Sequence, residues 1–415
     1  MHGDSSSTTW ENHEADSPPP WRLAWRLAWG QLLSWGVIYY AFTALSGPMH
    51  TDTGWSRSLI NGGLSLGLLS WGIFALPVGL WIQRRGAAGI MTVGSLTGGM
   101  GFAALGLVSD PWHFYLIWVV IGAAMATLLY EPAFAAVTVA FGNRYKQGIV
   151  LITLLAGFAS TVFIPLSHFL ADSFGWRNAL LALGLFLAVT GTPLHWLGRG
   201  DRPYISNRKT SQAFPARGML DVVFTFKNDL SDRRFALLAL WFTTYAAAFS
   251  GLIFLIVPAM TSSGAKAETL LGAIVLIGPM QVLGRLILTT CGMGLSSLHA
   301  GLWAMISITL SISFLLFLPP TPLWLTCFAV LFGIGNGVMT IVKGTAIAEL
   351  FGRKRYAELN GAVTAPSMIS KASAPFLLSV LWDYSANVSS VFISLMTLLA
   401  IGVIAIICLE FCSEG

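Results

Sequence analysis

Apolar runs of about 20 residues recur along this chain of 415 residues, and each is long enough to cross a bilayer as an α-helix. A sequence built this way folds around lipid rather than around a soluble core. Only 10% of its residues are charged, against about 25% in an average soluble domain. Hydrophobic residues make up 55% and the mean hydropathy is +0.73. The sequence therefore predicts an all-α, integral, multi-pass membrane protein whose first partner is the lipid bilayer. The basic balance, pI near 9.1, is spread over short loops and is no sign of nucleic-acid binding. Cys291, Cys327, Cys408 and Cys412 fall in or beside apolar segments without metal-ligand spacing, so they are packing residues and neither a metal nor another cofactor is expected.

One long polar stretch, Gly198 to Arg234, interrupts the apolar runs and divides the chain in two. It carries eight basic residues (Arg199, Arg202, Arg208, Lys209, Arg217, Lys227, Arg233, Arg234) against four acidic ones (Asp201, Asp221, Asp229, Asp232). That excess assigns it to the cytoplasm. The division is a disordered cytoplasmic tail over 1–20, a six-helix half over 21–198, a cytoplasmic linker over 199–234, a second half over 235–410 and a short tail over 411–415. The first twenty residues are polar, end in Pro18-Pro19-Pro20 and lack the charge and apolar pattern of a signal peptide. Trp21, Trp25 and Trp29 follow at i, i+4 and i+8, one stripe of a helix. That helix either lies on the inner leaflet or opens the first span.

Twelve spans are predicted, with approximate centres in 29–49, 58–83, 90–108, 112–141, 148–171, 178–198, 235–260, 268–291, 299–318, 323–350, 359–382 and 387–409. Alternating the loops puts seventeen basic residues on one side (Arg22, Arg26, Arg84, Arg85, Arg144, Lys146, the linker's eight, Arg353, Lys354 and Arg355) and only Arg57, Arg177 and Lys266 on the other. Both termini are thereby assigned to the cytoplasm. The halves repeat each other. Trp35 and Tyr39 return as Trp241 and Tyr245, and Gly72 and Gly86 as Gly278 and Gly292, all at an offset of 206; Phe141-Gly142 and Pro165 return as Phe351-Gly352 and Pro375 at 210. A six-plus-six repeat is an architecture of secondary transporters.

Twelve spans, a basic central loop and this repeat resemble the major facilitator superfamily over essentially residues 25 to 410. Its loop between helices 2 and 3 usually reads Gly-x3-Asp-Arg-x-Gly followed by two basic residues. Here Gly79, Arg84 and Gly86 match and Arg85 lies between them, but Gln83 replaces the acid and Ala87-Ala88 the basic pair, which puts the charge-paired gating latch in question. Within the superfamily, Gly54-Trp55-Ser56-Arg57, Tyr130-Glu131-Pro132-Ala133, Phe174-Gly175-Trp176-Arg177 and Gly284-Arg285 resemble the monocarboxylate transporter and oxalate-formate antiporter branch. In that branch an arginine of helix 8 and a lysine of helix 11 bind carboxylates; the resemblance implies that role for Arg285 and Lys371.

Glu131, Arg285, Lys343 and Lys371 lie well inside spans. Each charge costs about 2.5–3.5 kcal/mol near the bilayer centre, so they face a watery cavity or one another. A structural ion pair between Glu131 and Lys343 is one reading. One carboxylate, however, cannot neutralise three cations, and the net charge of about +2 favours an anionic substrate that would supply the missing partners. Arg285, Lys371, Lys343, Tyr39 and Tyr245 are thus candidate substrate ligands and Glu131 a candidate proton carrier, with packing between the halves the alternative for the tyrosines. His50, His113, His168, His195 and His299 all fall near span ends and read as interfacial. No nucleophile-and-base grouping or phosphate-cradling loop argues for an enzyme. The expected function is secondary active transport of a small mono- or dicarboxylate by a monomer in the bacterial inner membrane, coupled to protons or to anion exchange. An exporter of drugs or metalloid species and a transport-incompetent sensor are the alternatives.

Overall fold

The computed structural model describes residues 19–197, 232–291 and 294–414. The tail over 1–18 and the linker up to residue 231 lie outside the described residues. Among those described, the chain forms twelve long helical rods. They are α1 (21–53), α2 (Arg57–Arg85), α3 (Ala87–Leu107), α4 (Pro111–Ala140), α5 (Gly142–Phe174), α6 (Trp176–Leu197), α7 (Arg233–Ser262), α8 (Ala267–Cys291), α9 (Ser297–Phe317), α10 (Pro322–Phe351), α11 (Tyr356–Ser385) and α12 (Ser389–Glu414). Ten of these are long and apolar enough to cross a membrane; α1 and α11 fall outside that set, and they carry several of the polar groups discussed below.

Local sequence sets the helix ends. Ser56, Asp232 and Ser296 accept the backbone N–H of Leu59, Arg234 and His299, capping α2, α7 and α9. Pro111 and Pro322 open α4 and α10, where a missing N–H costs nothing. Gly54 ends α1 at φ 69° and Gly86 ends α2 at φ 80°, backbone conformations that favour glycine. Two stretches behind the resemblance are therefore connectors. In Gly54-Trp55-Ser56-Arg57 the glycine ends one helix and the serine starts the next. In Phe174-Gly175-Trp176-Arg177 the arginine donates to the carbonyl of Val108 at 2.7 Å, and Trp176 Nε1 donates to Asp52 at 3.0 Å.

Within the first half α1 packs on α5, α2 on α4 and α3 on α6. The same pairs shifted by six helices, α7 on α11, α8 on α10 and α9 on α12, build the second. The repeat seen in the sequence is thus a repeat of packing. Small residues let backbones approach: a Cβ on Gly99 of α3 would meet Ala188 N at 2.6 Å and Gly184 O at 2.7 Å on α6. Between the halves the broadest contact is α2 against α11.

Several expectations change in detail. The first span runs over 21–53 rather than 29–49, because the tryptophan helix is continuous with it; Leu23, Ala24, Leu27 and Ala28 are buried while Trp21, Trp25 and Trp29 face outward. His195 is not interfacial. It is 2% exposed, and its Nδ1 lies 2.7 Å from Ser95 Oγ, since its position near the end of α6 falls against α3 and α1 rather than toward the membrane surface.

Candidate functional site

The polar middle of the membrane is assembled where helices depart from regular geometry. In α1, Trp35–Ala41 forms a π-helical turn, the kind of distortion that concentrates at functional sites because it re-aims side chains. It presents Trp35, Tyr39 and Tyr40 in ring contact, with centroids 5.7 Å apart for Trp35–Tyr39 and 5.5 Å for Tyr39–Tyr40. Trp35 also meets Tyr130 of α4 at 5.1 Å.

Helix α4 breaks at Leu129, whose ψ is −153°, and restarts at Tyr130. Pro132 accounts for the break. It has no N–H to give the carbonyl of Leu128, and it sits in the first turn of the new segment, where proline is tolerated. Gln31 of α1, fully buried, supplies the missing donor, with Nε2 at 2.7 Å from Leu128 O and 3.1 Å from Leu129 O. Glu131 therefore stands in the first turn of a helix that starts inside the membrane, where the helix dipole favours a negative charge. Its Oε1 accepts from Lys343 Nζ at 2.8 Å and from Thr364 Oγ1 at 3.3 Å, and its Oε2 is buried without a partner among the described residues.

The same device holds Lys371. Pro375 leaves the carbonyl of Lys371 without its helical donor, and Ser250 Oγ of α7 fills the place at 2.6 Å. The ammonium of Lys371 lies 5.4 Å from the ring of Tyr39 and 5.7 Å from that of Phe249, within cation–π range of both. Among the described residues it has no carboxylate partner. The fields of both Lys343 and Glu131 reach it.

Arg285 is 4% exposed. Its Nη1 donates to the carbonyl of Thr153 at 2.8 Å, while Nε has no partner among the described residues. That carbonyl also accepts the N–H of Gly157 at 3.0 Å, so Arg285 adds a second donor to it. A Cβ on Gly157 would come within 2.3 Å of Nη1, so glycine makes room for the guanidinium. The charge of Arg285 acts on the hydroxyl groups of Tyr40, Tyr130 and Tyr245. Tyr245 in turn hydrogen-bonds Asn336 Oδ1 of α10.

The halves are joined from here to the end of the molecule carrying Arg84, Arg144 and Arg353, the basic face. Lys146 pairs with Glu349 at 2.8 Å, and Gln83 Nε2 donates to the carbonyl of Lys354. A Cβ on Gly79 would lie 2.4 Å from Ala357 O, and one on Gly361 2.5 Å from Ala75 O, so α2 and α11 touch backbone to backbone. Arg84 is exposed in the last turn of α2, and the guanidinium of Arg85 covers the Trp81 ring at 4.9 Å. Toward the opposite face, a cavity of about 420 Å³ is bordered by Thr43, Ser46, Asn61 and His168.

The structure thus separates the four intramembrane charges, of which Glu131 and Arg285 are buried and Lys343 and Lys371 half-buried. Glu131 and Lys343 form a pair, Lys371 rests on aromatic rings, and Arg285 holds a backbone carbonyl. Gln31, Thr364, Asn336, Phe249 and Gly157 were not among the sequence candidates. Pro132 and Pro375 were the signals that could have pointed to Gln31 and Ser250, because each frees a carbonyl.

Two pseudo-repeated six-helix bundles meeting at intramembrane charges, with interrupted helices at that meeting, form the two-halved polytopic architecture found among secondary transporters. The match to the Major Facilitator Superfamily over residues 27–309 places the chain in that family. Human monocarboxylate transporter 11 is 29% identical over 159 residues, 38% of this chain and 32% of the relative. Bovine monocarboxylate transporter 13 is 27% identical over 184 residues, 43% of this chain and 41% of the relative. The aligned stretches span about a third to two fifths of those relatives. Among solved structures, the human organic anion transporter MFSD10 (TETRAN) superposes with TM-score 0.76 at 14% identity, covering 94% of this chain and 100% of that one. The transporter FucP in its outward conformation superposes with TM-score 0.70 at 11% identity, covering 92% and 97%.

Proposed function

We propose that this transporter carries a small organic anion, a mono- or dicarboxylate, by alternating access, with Arg285 and Lys371 as its carboxylate ligands. The observation that carries the reading is the division of charge. Glu131 neutralises Lys343 at 2.8 Å, which leaves Lys371 and Arg285 as two buried or half-buried cations without a carboxylate among the described residues. A bound carboxylate supplies that counter-charge through charge-assisted hydrogen bonds, two of them in parallel from the arginine. Tyr39 and Tyr245 border the same region, and the names of the relatives, monocarboxylate transporters and an organic anion transporter, agree with the chemistry.

Glu131 is the proton carrier in this reading. It lies one ion pair away from the ligand lysine, so filling the anion site changes the field it feels. The basic face is cytoplasmic by its excess of arginine and lysine, in a bacterial inner membrane, and the monomer is the working unit. Purified protein in proteoliposomes tests the substrate class. Saturable uptake of radiolabelled mono- or dicarboxylates, competed by other carboxylates and not by lipophilic cations, is the expected result. Uptake of the cations alone would overturn it.

A further inference from the structure

A cavity of about 10 Å³ lies where α2, α4 and α11 meet, bordered among others by Trp71, Gly79, Ala126, Glu131, Ala357 and Gly361. Two of these residues bring polar atoms that the described protein does not satisfy, Glu131 Oε2 and Trp71 Nε1. Both residues are more than nine-tenths buried, at 8% and 2% exposure. Leaving a buried donor and a buried carboxylate oxygen unpaired is costly, the more so for the charged group. Buried cavities stay dry when their walls are apolar. Polar ones of about 10–15 Å³ and above admit one water, and an unpaired donor and an unpaired acceptor on residues that border one cavity are the partners such a water takes.

We infer that this cavity is a water site, in which one molecule accepts the indole N–H of Trp71 and donates to Glu131 Oε2, and that this water is the relay by which Glu131 exchanges its proton with the basic face. The inference rests on reading Glu131 as the proton carrier. Geometry divides the work between the carboxylate's oxygens. Oε1 is held by Lys343 and Thr364, so a proton arriving on Oε2 cancels the carboxylate's charge while leaving those two hydrogen bonds in place. The other titratable or charged groups acting around the carboxylate are Tyr130 on α4 and Tyr356 and Lys371 on α11. In the transfer, the O–H bond at Oε2 breaks as the bridging water gains that proton. The water then gives one of its own protons to solvent, so one carboxylate and one hydrated proton result and Lys343 stays an ammonium.

The seal on this route is the seam between α2 and α11. Gly79 against Ala357 and Gly361 against Ala75 close the cavity with backbone on backbone. When α2 and α11 part, the water meets the basic-face solvent; while they touch, it is trapped. The relay and the gate are then one structure, and proton release waits on the opening of the basic face.

Infrared difference spectroscopy on the full chain in liposomes tests this without a known substrate. A protonated-carboxyl band that disappears in Glu131→Gln identifies the group, and the rate at which the band shifts in D₂O reports its access to solvent. Trp71→Phe, which keeps a ring but removes the N–H, is expected to slow that shift about a hundredfold, the lower end of what a positioned proton-transfer group contributes. Ala126→Val, which fills the cavity and leaves both polar groups, is expected to do the same. If both variants exchange as fast as the wild type, the relay fails while the reading of Glu131 stands. Absence of any Glu131 band across the folded pH range removes the reading itself. A high-resolution map showing no solvent between Trp71 Nε1 and Glu131 Oε2, where comparably buried waters are visible elsewhere, also overturns the site.

Discussion

Gln31 of α1 donates its side-chain amide to the carbonyl of Leu128 at 2.7 Å, replacing the N–H that Pro132 lacks. One side chain thus stabilises the broken helix that carries Glu131. Gln31→Met keeps the bulk and removes the donor, and is expected to destabilise the protein by about 1–3 kcal/mol, the cost of a stranded buried acceptor. Pro132→Ala restores the N–H. In a double-mutant cycle followed by thermal unfolding in detergent, Gln31→Met should cost less on the Pro132→Ala background. Equal costs on both backgrounds would mean that Gln31 acts by packing alone.

Lys343 and Lys371 look alike in the sequence and are expected to behave differently. Lys343→Ala strands Glu131 in the membrane and should lower stability by about 3–5 kcal/mol whether or not an anion is present. Lys371→Ala strands no carboxylate. It should purify with near wild-type stability yet lose about tenfold to a hundredfold in affinity for a carboxylate, the worth of one hydrogen bond to a charged group. Thermal unfolding with and without added mono- and dicarboxylates distinguishes the two. Equal losses in the absence of anion would contradict the division of charge.

Arg285 is tested by a finer change. Arg285→Lys keeps the charge but not the planar fork, and it also removes the reach to Thr153 O at 2.8 Å that Gly157 makes room for. Carboxylate affinity should fall by about tenfold or more if the fork is used in binding. Equilibrium binding of labelled carboxylate to the purified variant measures it, and an unchanged affinity would show that only positive potential is needed there.

The helices, the halves and the identities of the intramembrane charges were legible because each rests on composition over long windows: apolar runs, loop basicity and the cost of a charge in lipid. What was not legible rests on single contacts. Three cations compete for Glu131 in the sequence, and choosing Lys343 among them requires distances that spacing does not contain. The π-helical turn at Trp35–Ala41 leaves no mark in an apolar run, yet it decides that Tyr39 lies beneath Lys371. Tyr39 and Tyr245 are repeat partners, but one ring faces an ammonium and the other hydroxyl meets Asn336, so symmetry of position does not give symmetry of role. Pro132 and Pro375 advertised freed carbonyls, and only the fold reveals which side chains answer them.

The last prediction concerns the seam between the halves at the basic face. A Cβ on Gly79 would lie 2.4 Å from the carbonyl of Ala357, too close for both backbones to stay where they are. Gly79→Val should therefore strain the closed arrangement, by about 1–3 kcal/mol for overpacking, and shift the equilibrium toward a state in which α2 and α11 have parted. At 1.4 kcal/mol per tenfold, that is a change of roughly five- to a hundredfold in the ratio of the two states. Gln83→Glu should act in the same direction. It restores an acid at the superfamily's motif position, but here the side-chain amide donates to the carbonyl of Lys354, and a carboxylate facing that carbonyl has no hydrogen to give. Spin labels on Arg84 and Arg353, exposed and half-buried at the basic face, report the separation by electron–electron double resonance. Longer distances in both variants are expected. If Gly79→Val lengthens the distance and Gln83→Glu does not, close packing alone holds the gate; if neither does, the seam is not what keeps this face closed.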